Sequence, residues 1–380
     1  MGINLVSRGS RLASFDPVDF PRPSPRDEQW RFSPLADLAK LYDAALSSHV
    51  VTRVSSPLPA GVTAETVSLG HPAVGLTPAP GDRIAAAAWA ASDDATLITL
   101  NGTNAEDLTV VRLTGGDGTE TAQASASHLV VLAKANARGS VVLEHSGLAY
   151  LAQGVEIVLE EGADITVVVL HDWAAGSIHA ASHRATLGKE AHLKYVSVAL
   201  GGSLVRVTAE LQLKGDGGNL EALGINLTDT GQHHETQLFV DHSGRNCRSR
   251  ATYKGALLGP TAHSVWVGDV LIRAGAEGTD SYEENRNLVL AKDARADSVP
   301  NLEIATGRIG GAGHASATGR FDQEQLFYLQ ARGIPEDLAR SLVVHAFFAE
   351  LIGRIGLKDV AAALVTAVDA KLDQQRNSHA

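Results

Sequence analysis

The chain has 380 residues, of which 44% are hydrophobic and 20% are charged, and its formal net charge is −11. This acidity argues against nucleic acid as a partner, since phosphate binding needs clustered Lys and Arg, and no apolar run reaches the roughly 18 residues of a membrane span. The one cysteine, Cys247, excludes an internal disulfide and an all-thiolate metal cage built by this chain alone.

Residues 1–105 are expected to form a partly helical N-terminal region behind a proline-rich lead-in. Five of the 13 prolines lie at positions 17, 21, 23, 25 and 34, a density that disfavours regular structure. Leu35, Leu38, Leu41 and Tyr42 then follow a helical spacing. The first residues have no apolar signal core, and Val6 replaces the Ser or Thr of a myristoylation signal, so we expect a cytoplasmic location.

Residues 106–320 consist of short runs rich in Val, Leu, Ile and Thr, divided by turns rich in Gly, Asn and Asp. Turn markers at Ala163, Ala191, Asn219 and Asn246 lie 28, 28 and 27 residues apart by subtraction. Such an interval is typical of a solenoid, in which stacked rungs share one core. An ordinary β-sandwich has turn signals every ~8–12 residues without a longer period above them. The pattern alone leaves both folds open.

Residues 321–380 are expected to form a helical domain. Asp322 and Gln325 form a variant of the capping box before a first helix, which ends at Gly333, and Pro335 begins the next. The second helix is predicted to place on one side Leu338, Leu342, Val343, Ala346, Phe347 and Leu351, and the third Val360, Leu364, Val368 and Leu372. We expect most of this stripe to pack on its neighbours and part of it to dock another protein.

The 15 histidines raise the question of a metal site, above all His179 with His183, the adjacent His233 and His234, and His242. Their spacing weakens that interpretation, because an i,i+4 pair is expected to face one side only on a helix, whereas this region is predicted to be strand and turn. Adjacent residues on a strand point to opposite faces. We therefore expect these five to be surface or hydrogen-bonded side chains.

The chain carries no motif of the common catalytic machines. It lacks Gly-x-x-x-x-Gly-Lys-Ser/Thr, Gly-x-Ser-x-Gly and His-Glu-x-x-His, so any ATPase must be a partner. Gly311-Ala312-Gly313 begins like a dinucleotide fingerprint but lacks its sixth position and its Rossmann context. A β-helical carbohydrate-active enzyme would need paired carboxylates in one groove, for which the chain offers Glu160-Glu161 and Glu283-Glu284.

Four motifs follow one another between Asn285 and Ile334: Asn-Arg-Asn-Leu-Val-Leu, Ala-Asp-Ser-Val-Pro-Asn-Leu-Glu-Ile-Ala, Gly-His-Ala-Ser-Ala-Thr-Gly-Arg-Phe-Asp and Leu-Phe-Tyr-Leu-Gln-Ala-Arg-Gly-Ile. This run resembles the C-terminal signature of the SufB/SufD family, scaffold subunits of the SUF iron–sulfur cluster assembly machinery. The segment Glu28–Leu35, Glu-Gln-Trp-Arg-Phe-Ser-Pro-Leu, resembles the N-terminal element of the same family. The resemblance thus spans nearly the whole chain.

The resemblance implies a mainly β protein, with a right-handed parallel β-helix core between an N-terminal partly helical region and a C-terminal helical domain. It implies a non-catalytic scaffold that pairs with a SufB-like subunit through β-helix edges and binds a SufC-like ATPase on its C-terminal helices, at Leu338, Leu342 and Phe347. An iron–sulfur cluster would form transiently with SufB, with none bound tightly by the isolated chain, and reduced flavin can join the complex. A homodimeric scaffold that needs no SufB is the alternative.

His314 is the candidate metal and cluster ligand. It follows a Gly-rich turn after the Leu302–Ile304 segment, and imidazole can bind iron through a neutral ring nitrogen. In the family, the matching histidine of SufD-type subunits is implicated in cluster assembly at the SufB contact; otherwise this residue would only cap a turn. Ala312 stands where many relatives have Cys, which favours a SufD-like member. Cys247 is expected to be a structural thiol.

Overall fold

The computed structural model describes residues 8–43, 45–47, 50–118, 122–321 and 323–378. Its strands are β1 (Val51–Val54), β2 (Val62–Ser68), β3 (Asp94–Leu100), β4 (Thr103–Thr114), β5 (Ala124–Ala133), β6 (Arg138–Ser146), β7 (Tyr150–Leu159), β8 (Asp164–His171), β9 (Ile178–Leu187), β10 (His192–Ala199), β11 (Leu204–Leu213), β12 (Asn219–Thr228), β13 (His233–His242), β14 (Arg248–Leu257), β15 (His263–Ile272), β16 (Asp280–Val289), β17 (Arg295–Ile304) and β18 (Gly311–Arg320). Its helices are α1 (Leu35–Tyr42), α2 (Arg83–Ala91), α3 (Gln323–Ala331), α4 (Glu336–Ile355) and α5 (Lys358–Ser378).

The strands alternate between two sheets and wind into a parallel β-solenoid of about eight turns. Odd-numbered strands from β3 to β17 form sheet A, with β2 at one edge, and even-numbered strands from β4 to β18 form sheet B, with β1 at one edge. Only the terminal pairs β1–β4 and β2–β3 are antiparallel among the pairings described. The parallel order confirms the solenoid and excludes the sandwich, whose sheets are antiparallel.

One corner of each rung explains the interval found in the sequence. At this corner a residue adopts left-handed backbone, with φ between 53° and 75°, in six successive rungs at Asn136, Gly162, Glu190, Gly217, Asn246 and Gly278. Its N–H donates to a carbonyl of the next turn at 2.7–2.9 Å. Gly and Asn tolerate this conformation best, which places turn markers at every rung. The intervals are 26, 28, 27, 29 and 32 residues by subtraction, so the predicted period is right in size but not constant.

The interior of the solenoid is an apolar core formed by alternate residues of both sheets, such as Val155, Val167 and Leu211. Opposite residues of sheet B, including Val168, Val196 and Ile225, face outward, and α4 and α5 cover them. Sheet A is covered on part of its outer face by the N-terminal region, where Trp30, α1 and α2 pack on β7, β9 and β11. The middle rungs are therefore buried on both faces of each sheet over much of their length, which suits their Val- and Leu-rich strands.

The N-terminal region contains short 3₁₀ turns, the predicted helix α1, and a second helix, α2, that the sequence analysis did not identify. The parallel ladder already begins at β3, which pairs with β5, so solenoid strands occur before residue 106. The Ala-rich sequence of α2 is amphipathic only weakly, and Asp82 caps it by accepting from the N–H of Ala85 at 2.8 Å.

The C-terminal helices follow the expected boundaries at Gly333 and Pro335, whereas Asp322 lies outside the described residues. On α5 the predicted stripe is buried at Val360, Leu364, Val368 and Leu372, which confirms its packing role. On α4 the prediction was right for Leu351 but wrong for Leu338, Leu342 and Ala346, which are exposed. The side chains of α4 buried against sheet B are Val344, Phe348, Leu351, Ile352 and Ile355. The first half of α4 instead packs on α3 and Phe321, so its buried face rotates along the helix. No helix in the described part of the chain could span a membrane.

Candidate functional site at the open end of the solenoid

The C-terminal end of the solenoid is open. β17 and β18 are the last strands of sheets A and B, and each has a strand neighbour on one side only within the described ranges. Most residues of β17 are half-buried, and most of the second half of β18 is exposed. The free edges present backbone N–H and C=O groups that can continue a sheet into another chain.

His314 lies within strand β18, not in a turn, so the alternative of a turn-capping histidine is wrong. Its register partner on β16 is Glu283, and in-register residues of parallel neighbours point to the same face. Because Glu283 faces the interior, His314 faces the axis of the solenoid as well. It is nevertheless exposed, because no later rung covers it among the described residues. The Gly- and Ala-rich sequence of β18 is typical of a turn, and the segment is a strand only because it pairs with β16.

Glu283 gives this end of the interior an unusual acid. Its side chain is 1% exposed, and burial, reinforced by the charge of Asp269, raises the pKa of its carboxyl to about 8. The carboxyl is therefore mainly protonated at neutral pH. Gly268 on β15 leaves the necessary room, since a Cβ there would lie 2.6 Å from Oε2 of Glu283. Neither carboxyl oxygen of Glu283 has a hydrogen-bond partner among the described residues, and its register neighbour His314 carries a ring that can bind metal.

Further residues of the signature motifs build the rim of this opening. Asn285 and Asn287 lie on the interior face of β16, where the Nδ2 of Asn287 donates to the Oδ1 of Asn285 at 2.8 Å. Ser298 of β17 donates to the same Oδ1 at 2.6 Å, which links the two sheets. Both asparagines belong to the Asn-Arg-Asn-Leu-Val-Leu motif, from which no role had been predicted for them. Their alternation, Asn-x-Asn within a strand, was the signal that both share one face.

The three residues predicted to dock a SufC-like ATPase do not share one surface. Leu338 and Leu342 on α4 are 42% and 45% exposed, whereas Phe347 is half-buried and packs against the cluster between the helices and sheet B. Two aromatic side chains of α3, Phe327 and Tyr328, are 72% and 56% exposed. Four exposed apolar side chains thus lie on α3 and the first half of α4, and a fifth, Val365, lies on α5 at 38% exposure.

The other five histidines singled out in the sequence are hydrogen-bonded, as expected, but none is on the surface. His179, His183, His234 and His242 are fully buried, and His233 bonds to Glu235 at 3.1 Å. His233 and His234 do point to opposite faces. The prediction that the spacing of His179 and His183 separates their side chains was wrong, because residues i and i+4 of a strand also share a face.

Cys247 and the acidic pairs offer no second reactive centre. Cys247 is buried, its Sγ donates to the carbonyl of Gly215 at 3.3 Å, and burial raises the pKa of the thiol, as expected of a structural cysteine. Glu160 and Glu161 form ion pairs of 3.0 Å with Lys134 and Lys189. Neighbouring strand residues point to opposite faces, so Glu283 and Glu284 do not converge on one groove. Neither acidic pair therefore supplies the paired carboxylates that a β-helical carbohydrate-active enzyme would need in one groove.

Comparison with known proteins agrees with this architecture. The family model described as "SUF system FeS cluster assembly, SufBD core domain" matches residues 114–347. An iron–sulfur cluster assembly SufBD family protein of Mycobacterium tuberculosis (strain H37Rv) is 46% identical over 378 residues, which cover 97% of this chain and 94% of that protein. A SufBD family protein of Mycobacterium leprae is 43% identical over 376 residues, with 97% and 95% covered.

Two partial matches carry a more specific name. The iron–sulfur cluster assembly protein SufD of Escherichia coli (strain K12) is 30% identical over 175 residues, which cover 46% of this chain and 41% of that protein. SufD of Bacillus subtilis is 26% identical over 220 residues, with 57% and 49% covered. The chain therefore belongs to the SufB/SufD family of iron–sulfur cluster assembly proteins, as a SufD-like member.

Proposed function

We propose that the chain is a non-catalytic scaffold subunit that pairs with a SufB-like subunit at the open end of the solenoid and supports cluster assembly there. One observation carries the proposal: His314 is exposed on the last strand of sheet B, beside two free strand edges. A partner strand added to either edge would lie about 4.8 Å from it, next to the imidazole.

The edges are suited to a specific partner rather than to indiscriminate pairing. Pro300 lies within β17 and removes one backbone donor from the strand, and edge prolines of this kind oppose pairing with unrelated strands. A partner must therefore match the remaining donors and acceptors of β17 and β18. This favours a subunit of the same fold, with its own solenoid edge.

His314 would supply one neutral nitrogen ligand to an iron–sulfur cluster, which is the cargo of the assembly. The remaining ligands must come from the partner, because the single cysteine of this chain is buried away from the opening. One ligand cannot hold a cluster tightly, so the isolated chain is expected to carry none. No residue of this chain is assigned to the binding of reduced flavin.

The exposed apolar residues of α3 and α4 support a docking surface for a SufC-like ATPase. The exposed side chains of Leu338, Leu342, Phe327 and Tyr328 would form this surface. Phe347 would contribute indirectly, because it packs α4 against sheet B. ATP hydrolysis would come from that partner, since this chain has no phosphate-binding loop. A cytoplasmic location and a role without substrate turnover belong to the same proposal.

The test is a His314→Ala variant purified under anaerobic conditions with its SufB-like and SufC-like partners. The complex should stay intact, since substitution at an exposed position is usually mild, while iron, acid-labile sulfide and visible absorbance fall sharply. The matched control is His192→Ala, an exposed strand histidine on a rung away from the opening. His233 and His234 do not suit as controls, because both are buried.

Wild-type cluster content in His314→Ala would reject the ligand role, and loss of the complex would make the residue structural. The homodimeric alternative is decided by mass measurement of the purified chain, alone and mixed with the SufB-like subunit. A dimer of this chain that persists in the mixture would contradict pairing with SufB.

A further inference from the structure

Three histidines meet inside the solenoid, away from the open end. His145 on β6, His171 on β8 and His179 on β9 are fully buried. Their ring centroids are 5.0, 5.0 and 5.1 Å apart, nearly an equilateral triangle. One ring nitrogen of each lies within 4.8 Å of the other two.

The rung repeat creates this cluster. His145 and His171 are register partners at the ends of β6 and β8, so they stack on the same face. The chain then turns through residues 172–177 and returns with His179 near the start of β9, in the other sheet. Trp173, in that turn, and Gln153, on β7, complete the surroundings. The cluster therefore joins sheets A and B at one corner.

The hydrogen bonds at this corner leave two acceptor atoms facing each other. The Nδ1 of His145 lies 3.0 Å from the carbonyl of Leu170, so it carries the proton and its Nε2 is an acceptor. Facing that Nε2 at 3.0 Å is the Oε1 of Gln153, which is an acceptor as well. Two acceptors at this distance need a proton or a cation between them.

Rotation of the Gln153 amide would supply one proton to His145. This rotation would not change the hydrogen bonding of the His171 and His179 rings. The Nδ1 atoms of His171 and His179 are 3.2 Å apart, and the latter already accepts from the indole N–H of Trp173 at 2.9 Å. The Nε2 atoms of His171 and His179 are buried without a hydrogen-bond partner among the described residues. Buried polar atoms of this kind normally mark a missing ligand or water.

Burial disfavours the charged imidazolium form of all three rings. It lowers the pKa of His145 to about 4 and the pKa of His171 and of His179 well below its usual value. Neutral imidazole is the form that binds metals.

We propose that His145, His171 and His179 bind one divalent transition-metal ion such as Zn²⁺ inside the solenoid, with the Oε1 of Gln153 as the fourth ligand. Tetrahedral Zn²⁺ with bonds of 2.0–2.1 Å sets ligand nitrogens about 3.4 Å apart and ring centroids about 5.2 Å apart. The observed nitrogen separation for His171 and His179 is 3.2 Å, and the centroid separations are 5.0–5.1 Å. The ion would tie the two sheets together independently of the open end.

Two neighbours define how the site would behave. The bond from Nδ1 of His145 to Leu170 orients that ring and directs its Nε2 toward the ion, as second-shell carbonyls do in metal sites. The indole N–H of Trp173 occupies the Nδ1 of His179 and must be displaced when the metal binds there. Trp173 is therefore a competitor, and its removal should strengthen metal binding.

The experiment uses the full chain, produced without a metal-affinity tag in medium supplied with Zn²⁺ or with Co²⁺. After gel filtration, metal per chain is measured by mass spectrometry, and Co²⁺ protein is examined for the visible bands of tetrahedral cobalt. About one ion per chain is expected for the wild type. His171→Gln should fall to background. His234→Gln is the matched control, since His234 is equally buried but bonds through both nitrogens, and it should keep wild-type content.

The Trp173→Phe variant gives the most specific test, because it removes the competing N–H donor and leaves the proposed ligands in place. Its affinity for Co²⁺ in a chelator competition should exceed that of the wild type at least threefold. A purely structural histidine stack predicts no such gain. Wild-type protein with less than about 0.1 ion per chain overturns the proposal, as does equal metal content in His171→Gln and His234→Gln. If His171→Gln does not fold, the wild-type content and Trp173→Phe still decide.

Discussion

Lys254 on β14 donates a hydrogen bond from its Nζ to the backbone carbonyl of Phe347 on α4, at 2.9 Å. The ammonium is only 7% exposed, and it also lies 3.0 Å from the carboxylate of Glu350 and 5.3 Å from the centre of the Phe347 ring. A buried charge with this many partners fixes the position of the helix on sheet B. Phe347 is thus part of the attachment between the helical domain and the solenoid.

Replacing Lys254 should therefore loosen the helical domain. In Lys254→Met, the carbonyl of Phe347 loses its charged donor, and we expect a loss of about 1–3 kcal/mol in the free energy of unfolding. Limited proteolysis should cut α4 and α5 earlier than in the wild type. Lys292→Met, at an exposed position, serves as the control in urea unfolding. Equal stability of the two variants would show that the bond contributes nothing.

The exposed half of α4 should behave in the opposite way. In a Leu338→Ser, Leu342→Ser double variant, we expect unchanged thermal stability but at least tenfold weaker binding of the SufC-like ATPase, because apolar contact area is lost only in the complex. Val365→Ser on α5, at a similarly exposed site, is the control. Binding is measured by titration calorimetry. A variant that binds at full affinity would place the docking surface elsewhere.

The sequence predicted what depends on local chemistry. The turn markers recur because one corner of six successive rungs needs left-handed backbone, and Gly or Asn meets that need in five of them. The stripe of α5 was predictable because one face of this helix, from Val360 to Leu372, belongs to a single buried cluster with α4 and sheet B. The face of α4 was not, since its first half packs on α3 and its second half on the solenoid.

What the sequence could not predict depends on pairing between distant segments. His314 lies on a strand only because β16 offers it a partner, and its neighbour Glu283 is 31 residues away by subtraction. The interior histidine cluster is even harder to predict, because the stacking of His145 on His171 follows only if the exact number of residues in the rung is known. A one-residue change in register would turn either histidine to the opposite face.

The buried histidines should make the fold sensitive to acid. Burial lowers the pKa of His234 to about 3 and of His242 to about 4, below the unfolded value of 6.5. The unfolded state therefore binds more protons, and the stability these groups contribute is complete above pH 6.5 and is lost as pH falls toward 4. We expect the thermal midpoint to fall over this range, more shallowly in His242→Gln than in the wild type. An exposed control, His192→Gln, should keep the wild-type slope; an identical slope in all three would refute the assignment.

The interior also limits side-chain volume at one identifiable glycine. Gly224 on β12 is the register partner of Tyr253 on β14, and the buried tyrosine ring lies where a Cβ on residue 224 would be. Because the ring is enclosed by the core, it cannot move aside freely, and Gly224→Ala should cost about 1–3 kcal/mol through overpacking. Gly275→Ala, in a turn with no atom within 4 Å of the added Cβ, should change stability by less than about 0.5 kcal/mol. Urea unfolding of both variants measures the difference, and comparable midpoints would mean that Tyr253 repacks without cost.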